Sequence, residues 1–165
     1  MAKPLTAQKI LDELKKCGIT HIVWLPDSEA RFMYDAMKDV PSITLVPVCH
    51  EAEAPAIAAG LTVAGKKPIV LIQNTGFFEC GDSLRGTILD IKLPLLLMLG
   101  YRGYRSGKLS GTAAIYLEPI LDAWGIKHYL LESDDDINKI SAAYKQTNET
   151  SHPVAVLIGK EYEQA

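Results

Sequence analysis

"VPVCHEAEAPAIAAGLTVAGKKPIVLIQNTG", residues 46–76, decides how this chain is read. An apolar, strand-like run gives way at Glu51 to a helix-like run of small residues. A second apolar run, "PIVLIQ" (68–73), follows and ends on an amide, a hydroxyl and a glycine. Strand, helix and strand in succession, each strand apolar along its whole length, is the pattern of a parallel sheet covered on both faces.

The same alternation extends outward in both directions. Upstream, "HIVWL" (21–25) precedes "SEARFMYDAMKD", and "ITLVPV" (43–48) precedes the small-residue helix. Downstream, "LPLLLML" (93–99) precedes "YRGYRSGKLSG" and then "AAIYLEPILDAWG". "KHYLL" (127–131) precedes "DDDINKISAAYKQT", and "PVAVLI" (153–158) comes last. An opening helix carries Ile10, Leu14 and Cys17 on one face, with Thr6 as N-cap and Gly18 as stop. The expected fold is a three-layer α/β/α arrangement around a six-stranded, mainly parallel sheet, with residues 1–165 as a single domain.

Composition narrows the function classes. At 165 residues, 48% hydrophobic and 22% charged, the chain has the balance of a soluble globular domain. A net charge of −3 with scattered Lys and Arg offers no nucleic-acid surface. The longest apolar run, 93–99, is too short to span a membrane and contains Pro94. There is no signal-peptide pattern, and Cys17, Cys49 and Cys80 lack metal or disulfide spacing; both point to a reducing cytoplasm.

In this architecture ligands bind beyond the carboxyl ends of the strands. The segments to examine are Pro26–Asp27–Ser28, His50–Glu51, the glycine-containing loop from Asn74 to Ser83, and Tyr101 to Thr112. Position leaves two roles open to Glu51: an acid stabilised at a helix start, or a catalytic acid in a cleft. His50 is read as structural, Glu53 as solvated or at a subunit contact, and Pro55 as a first-turn helix residue. Phe77 and Phe78 are expected to face a partner or ligand, and Cys80 is read as an ordinary thiol. Arg102, Arg105 and Lys108 form either a solvated basic loop or an anion clamp. Asp134, Asp135 and Asp136 are explained by capping after Ser133.

Taken together, Pro26–Asp27, His50–Glu51 and Gln73–Gly76 resemble the pyrimidine-binding (PYR) domain of thiamine-diphosphate enzymes. Within that group, "GITHIVWLPDS", "HEAEAPAIAAGLTVAGKKPIVLIQNTG" and "LPLLLMLGYRGY" are similar to the sulfopyruvate decarboxylase alpha-subunit and phosphonopyruvate decarboxylase family. The resemblance implies a decarboxylase of 2-oxo acids in which Glu51 shares a proton with a ring nitrogen of the cofactor's aminopyrimidine. It places Pro26, Asn74, Thr75 and Gly76 near that ring and Asp27, Arg102 and Tyr104 toward substrate. The family's diphosphate-binding motif, G-D-G with a downstream asparagine, is missing; Gly81–Asp82–Ser83 is read as a loop and helix cap. The resemblance therefore implies a separate beta subunit holding Mg2+ and the diphosphate, with self-association of this chain as well. A carboligase or lyase outcome and a non-catalytic domain are the alternatives.

Overall fold

The computed structural model describes residues 4–159. Helix α1 (Ala7–Lys16) leads into β1 (His21–Trp24), followed by α2 (Arg31–Met37), β2 (Thr44–Pro47), α3 (Glu53–Val63) and β3 (Pro68–Gln73). Next come α4 (Asn74–Glu79), α5 (Gly81–Leu84) running on into a π-helical turn over Arg85–Leu89, and β4 (Leu96–Gly100). A two-stranded hairpin, β5 (Tyr104–Arg105) and β6 (Lys108–Leu109), precedes α6 (Thr112–Ala123) and β7 (Lys127–Leu131). A 3-10 turn at Asp134–Asp136, α7 (Asn138–Thr150) and β8 (Val154–Ile158) follow.

The main sheet runs β2-β1-β3-β4-β8-β7, and every pairing in it is parallel. The expected six-stranded α/β/α architecture is what forms. Side chains on a strand point alternately to the two faces, and here both faces are covered. Val23, Val70, Ile72, Leu97, Leu99, Ala155 and Leu157 join the core under α3 to α6. Their neighbours Ile22, Trp24, Ile69, Leu71, Leu96, Met98, Val154, Val156 and Ile158 join the core under α1, α2 and α7. Burial of both faces is why these strands read as unbroken apolar runs. At about 25 cal/mol per Å2 of apolar surface removed from water, this two-sided burial is the main stabilising contribution.

Helix ends match the sequence unevenly. Gly18 ends α1 with φ at +71°, a left-handed conformation open to glycine at little cost. Thr6 precedes α1 in extended backbone but makes no side-chain cap. Its hydroxyl and N–H instead donate to Asp134 Oδ1, at 3.1 and 2.9 Å, tying the chain's start to the turn before α7. Ser133 does form the expected cap, a reciprocal pair with Asp136.

Two segments depart from expectation. Asn74 to Glu79 is a short helix, where a glycine loop was expected. Phe77 is then carried inward to the core, 1% exposed, with its ring 5.9 Å from that of Trp124, so it does not face a partner or ligand. The Arg102–Lys108 stretch is folded on itself as the β5–β6 hairpin, which the sequence did not suggest.

Candidate active site at the carboxyl ends of the parallel strands

β1 and β3 are hydrogen-bonded neighbours, yet the chain leaves β1 toward β2 on one side and β3 toward β4 on the other. Such a reversal opens a crevice beyond the carboxyl ends of the two strands. Asp27 follows β1 at this point and Asn74 follows β3.

Three buried acceptor atoms at this crevice have no hydrogen-bond partner: Asp27 Oδ2, Gln73 Oε1 and Asn74 Oδ1. A buried polar atom without a partner costs about 1–3 kcal/mol, so their grouping at one strand end marks a place that suits a donor-bearing ligand. Asp27 Oδ1 is satisfied by the N–H groups of Glu29 and Ala30, at 2.6 and 2.8 Å. Burial pushes the Asp27 carboxyl above the usual range and the nearby Glu51 carboxylate adds to this, against the opposing backbone N–H donors. Asn74 is fully buried, and its Nδ2 donates to the carbonyl of Arg102 at 2.9 Å, linking the ends of β3 and β4.

Glu51 reaches the crevice from the turn between β2 and α3. Its carbonyl accepts the N–H of Ala54 at 3.0 Å and the Cys80 thiol at 3.2 Å, which fixes the backbone. Its side chain lies directly on Gly76: a Cβ added to Gly76 would overlap Glu51 Cγ, Cδ and Oε1. The glycine of Gln73-Asn74-Thr75-Gly76 is thus the seat of the Glu51 side chain. The carboxylate is half-buried and, among the described residues, accepts no hydrogen bond and forms no ion pair. Glu53 is exposed and takes the N–H of Cys49 at 3.2 Å, while His50 is paired with Glu79 at 2.6 Å. Neither points to chemistry. Burial, with the Glu51 and Glu79 carboxylates, pushes the Cys80 thiol up to about 12, so it acts as a donor and stays protonated.

The crevice therefore gathers Asp27, Glu51, Gln73, Asn74 and Gly76. Pro26 is exposed beside it, and Thr75 borders a separate groove of about 500 Å3 between α4 and α6, shared with Phe78 and Tyr116. A larger hollow, about 560 Å3 between α1 and α7, contains none of these residues. Arg102 is exposed at the end of β4. Tyr104, expected to face substrate, is turned into the packing instead. It stacks on Tyr101 at 5.0 Å and its hydroxyl donates to Glu132 at 2.6 Å. Burial and that carboxylate push its hydroxyl up to about 12.

Two residues were given no role from sequence, Gln73 being read only as the start of the Gln73–Gly76 motif. Gln73 closes β3 with its amide oxygen unpartnered, and Glu29 lies across the end of β4. For Glu29 the available signal was an acid two places after Asp27 in a strand-end loop. No group of three or more His, Cys, Asp or Glu side chains able to hold a metal ion occurs among the described residues. Asp82 of the Gly81-Asp82-Ser83 stretch is exposed, in a short helix rather than a loop, and paired with Arg85 at 2.6 Å. No helix among those residues is long and apolar enough to cross a membrane.

The parallel sheet and the acid at its switch point come from a chain whose family sequence comparison identifies. Residues 5–108 match the family described as "Thiamine pyrophosphate enzyme, N-terminal TPP binding domain", and the chain belongs to that family. It is similar to the protein named "Sulfopyruvate decarboxylase subunit alpha" of Methanocaldococcus jannaschii, 26% identical, covering 93% of this chain and 92% of that one. The subunit alpha of Methanococcus maripaludis is 22% identical over 88% and 89% of the two chains. A longer "Sulfopyruvate decarboxylase" of Methanosarcina acetivorans is 25% identical, covering 92% of this chain but 39% of its own length. Among solved structures, a 2-oxoglutarate:ferredoxin oxidoreductase from Magnetococcus marinus shares the fold. Its TM-score is 0.68 at 18% identity, over 94% of this chain and 29% of that one.

Proposed function

We propose that this chain is the pyrimidine-binding subunit of a split thiamine-diphosphate-dependent 2-oxo acid decarboxylase. Its substrate is sulfopyruvate, phosphonopyruvate or a similar 2-oxo acid, and a separate beta subunit supplies Mg2+ and the diphosphate site. The observation that carries the reading is the Glu51 carboxyl, seated on Gly76 and free of hydrogen bonds beside three buried acceptors that have no donor. That acceptor set suits an aminopyrimidine. Its amino group can give its two hydrogens to two of the acceptors Asp27 Oδ2, Gln73 Oε1 and Asn74 Oδ1, and a ring nitrogen can share a proton with Glu51.

When bound, the cofactor supplies an electron sink for the pair released as carbon dioxide leaves. This chain's residues do the rest of what can be assigned to it. With the cofactor bound, Glu51 would share a proton with the ring nitrogen, a role suited to a carboxyl free of competing partners. Asp27, with Oδ1 occupied by two N–H donors, leaves Oδ2 to face the crevice. Asn74 keeps the Arg102 backbone in place, so that the guanidinium stands at the crevice edge for an anionic group.

A partner is supported by the name that the relatives carry, subunit alpha. The relatives named as subunit alpha match this chain nearly end to end, whereas the longer decarboxylase of Methanosarcina acetivorans is matched over 39% of its length. The test is reconstitution with the beta subunit, scoring carbon dioxide release from 2-oxo acids with and without thiamine diphosphate. Glu51→Gln is expected to lower the rate by roughly 10²- to 10⁴-fold, as for loss of a proton-transfer group. An undiminished rate in that variant refutes the assignment.

A further inference from the structure

Cys80 closes α4 one turn beyond Gly76 and is buried in the core that lies under α3. Its thiol is 3.2 Å from the carbonyl oxygen of Glu51 and 3.3 Å from that of Gly76. Both neighbours are acceptors, so the S–H serves only as a donor. The Gly76 contact is the local one a thiol makes one turn back in its own helix. The Glu51 contact joins two elements, the turn after β2 and the helix after β3. Burial, with the Glu51 and Glu79 carboxylates, keeps the proton on sulfur.

The preceding residue repeats the connection. Glu79 Oε2 lies 2.6 Å from His50 Nε2, and His50 Nδ1 accepts the N–H of Ala52 at 3.3 Å, so a neutral ring with its hydrogen on Nε2 meets both contacts. Two adjacent residues at the end of α4 thus hold two adjacent residues of the turn, and Gly76 receives the Glu51 side chain between them. The holds differ in weight. His50 and Glu79 are both more than half exposed, where such a pair adds little. The thiol bond is buried at its donor end, where water does not compete. The Glu51 carboxylate has no hydrogen bond of its own among the described residues, so its direction is set by its seat and its backbone.

We propose that Cys80 is a positioning residue for Glu51: its thiol, donating to the Glu51 carbonyl, fixes the turn from which the carboxyl reaches its seat on Gly76. This rests on the decarboxylase reading above and extends it to a residue that acts through Glu51 alone. A carboxyl that must stay free of competing partners to share a proton has to be aimed through its main chain, and Cys80 supplies that hold.

The test compares Cys80→Ala, Cys80→Ser and, as control, Ile88→Val, which trims one methyl elsewhere in the same core. In the complex with the beta subunit, Cys80→Ala is expected to lower kcat about fivefold with KM within about twofold, as for loss of one modest hydrogen bond. Cys80→Ser keeps a donor and should regain most of that loss, and Ile88→Val should match wild type. A Cys80→Ala rate at the wild-type level, or a Cys80→Ser rate no better than that of Cys80→Ala, overturns the proposal. A second readout needs no turnover. In the full chain, deuterium uptake over residues 50–54, where the Ala54 N–H is bonded to the Glu51 carbonyl, should quicken about fivefold in Cys80→Ala and revert in Cys80→Ser. Unchanged uptake refutes the role of Cys80 whatever the activity. If the wild-type complex releases carbon dioxide from no 2-oxo acid, the decarboxylase reading fails, and the uptake separately decides whether Cys80 fixes the turn.

Discussion

Gly76→Ala separates the role of a residue from the role of its place. Gly76 is buried within α4, and its φ is not in the left-handed region, so an alanine fits the backbone. By propensity alone, alanine in a helix is favoured over glycine by about 1 kcal/mol. Against this, the new methyl occupies the space of Glu51 Cγ, Cδ and Oε1, and the side chain has to swing off its seat. Half-buried and without a hydrogen-bond partner, it has somewhere to go, at a rotamer cost of about 0.5–1.5 kcal/mol. The two effects nearly cancel, and the melting temperature should stay within about 4 °C of wild type. Activity should not stay. A proton-transfer carboxyl displaced by about an ångström costs roughly 10²-fold, even though Glu51 itself is untouched. The assay pairs a thermal melt of the chain with carbon dioxide release from the reconstituted complex. Gly86→Ala serves as control, since nothing lies within 4 Å of its added Cβ. A Gly76→Ala variant that retains full rate would refute the claim that the seat of Glu51 on Gly76 is functional. A melting temperature lowered by 10 °C or more would refute the claim that the site can yield.

The other outcomes are quicker to state. Tyr104→Phe removes the hydroxyl that donates to Glu132 and should cost about 1 kcal/mol in urea denaturation; a raised KM with unchanged stability would return Tyr104 to the substrate side. Iodoacetamide at pH 8 should alkylate exposed Cys49 and spare buried Cys80, as read by peptide mass, and prompt modification of Cys80 would contradict its burial. Because the Cys80 thiol is raised to about 12, between pH 9 and that value the unfolded chain ionises while the folded one does not. Stability should then fall as pH rises, by about 1.4 kcal/mol per pH unit from this group, and Cys80→Ala should flatten that slope.

What could be read in the sequence was whatever repeats along the chain. The runs 68–73 and 127–131 coincide with β3 and β7 residue for residue; β3 is buried on both faces and so reads as an unbroken apolar run, and β7, at the sheet edge, is bounded by Gly125 before it and the acidic turn after it. The run at 93–99 was placed three residues early, since Leu93, Pro94 and Leu95 are apolar yet belong to the approach to β4 rather than to the ladder. The Gln73-to-Gly76 stretch was legible as the end of a strand and misjudged as a loop. Gly76 and the two aromatics suggested an irregular backbone, whereas a turn of helix is what drives Phe77 into the core beside Trp124.

The site's internal contacts follow a different rule, and they explain why Glu29 was missed beside Asp27 and Glu51. Asp27, Glu29, Glu51 and Arg102 come from loops after three different strands, and the order β2-β1-β3-β4 that brings them together is not written in any local pattern. Glycine is the trace such contacts leave. Gly76 and Gly100 both lie where an acid from another strand's loop occupies the volume of a side chain, one beneath Glu51 and the other beneath Glu29. Neither glycine needs a left-handed backbone, so conformation does not account for them. Their shared cause is close approach at the carboxyl ends of β3 and β4, and it treats Glu29 in the same way as Glu51. If Gly100→Ala proved as harmless in the thermal melt and in turnover as Gly86→Ala, close approach of Glu29 would not be what keeps that position a glycine, and Gly76 would need an explanation of its own.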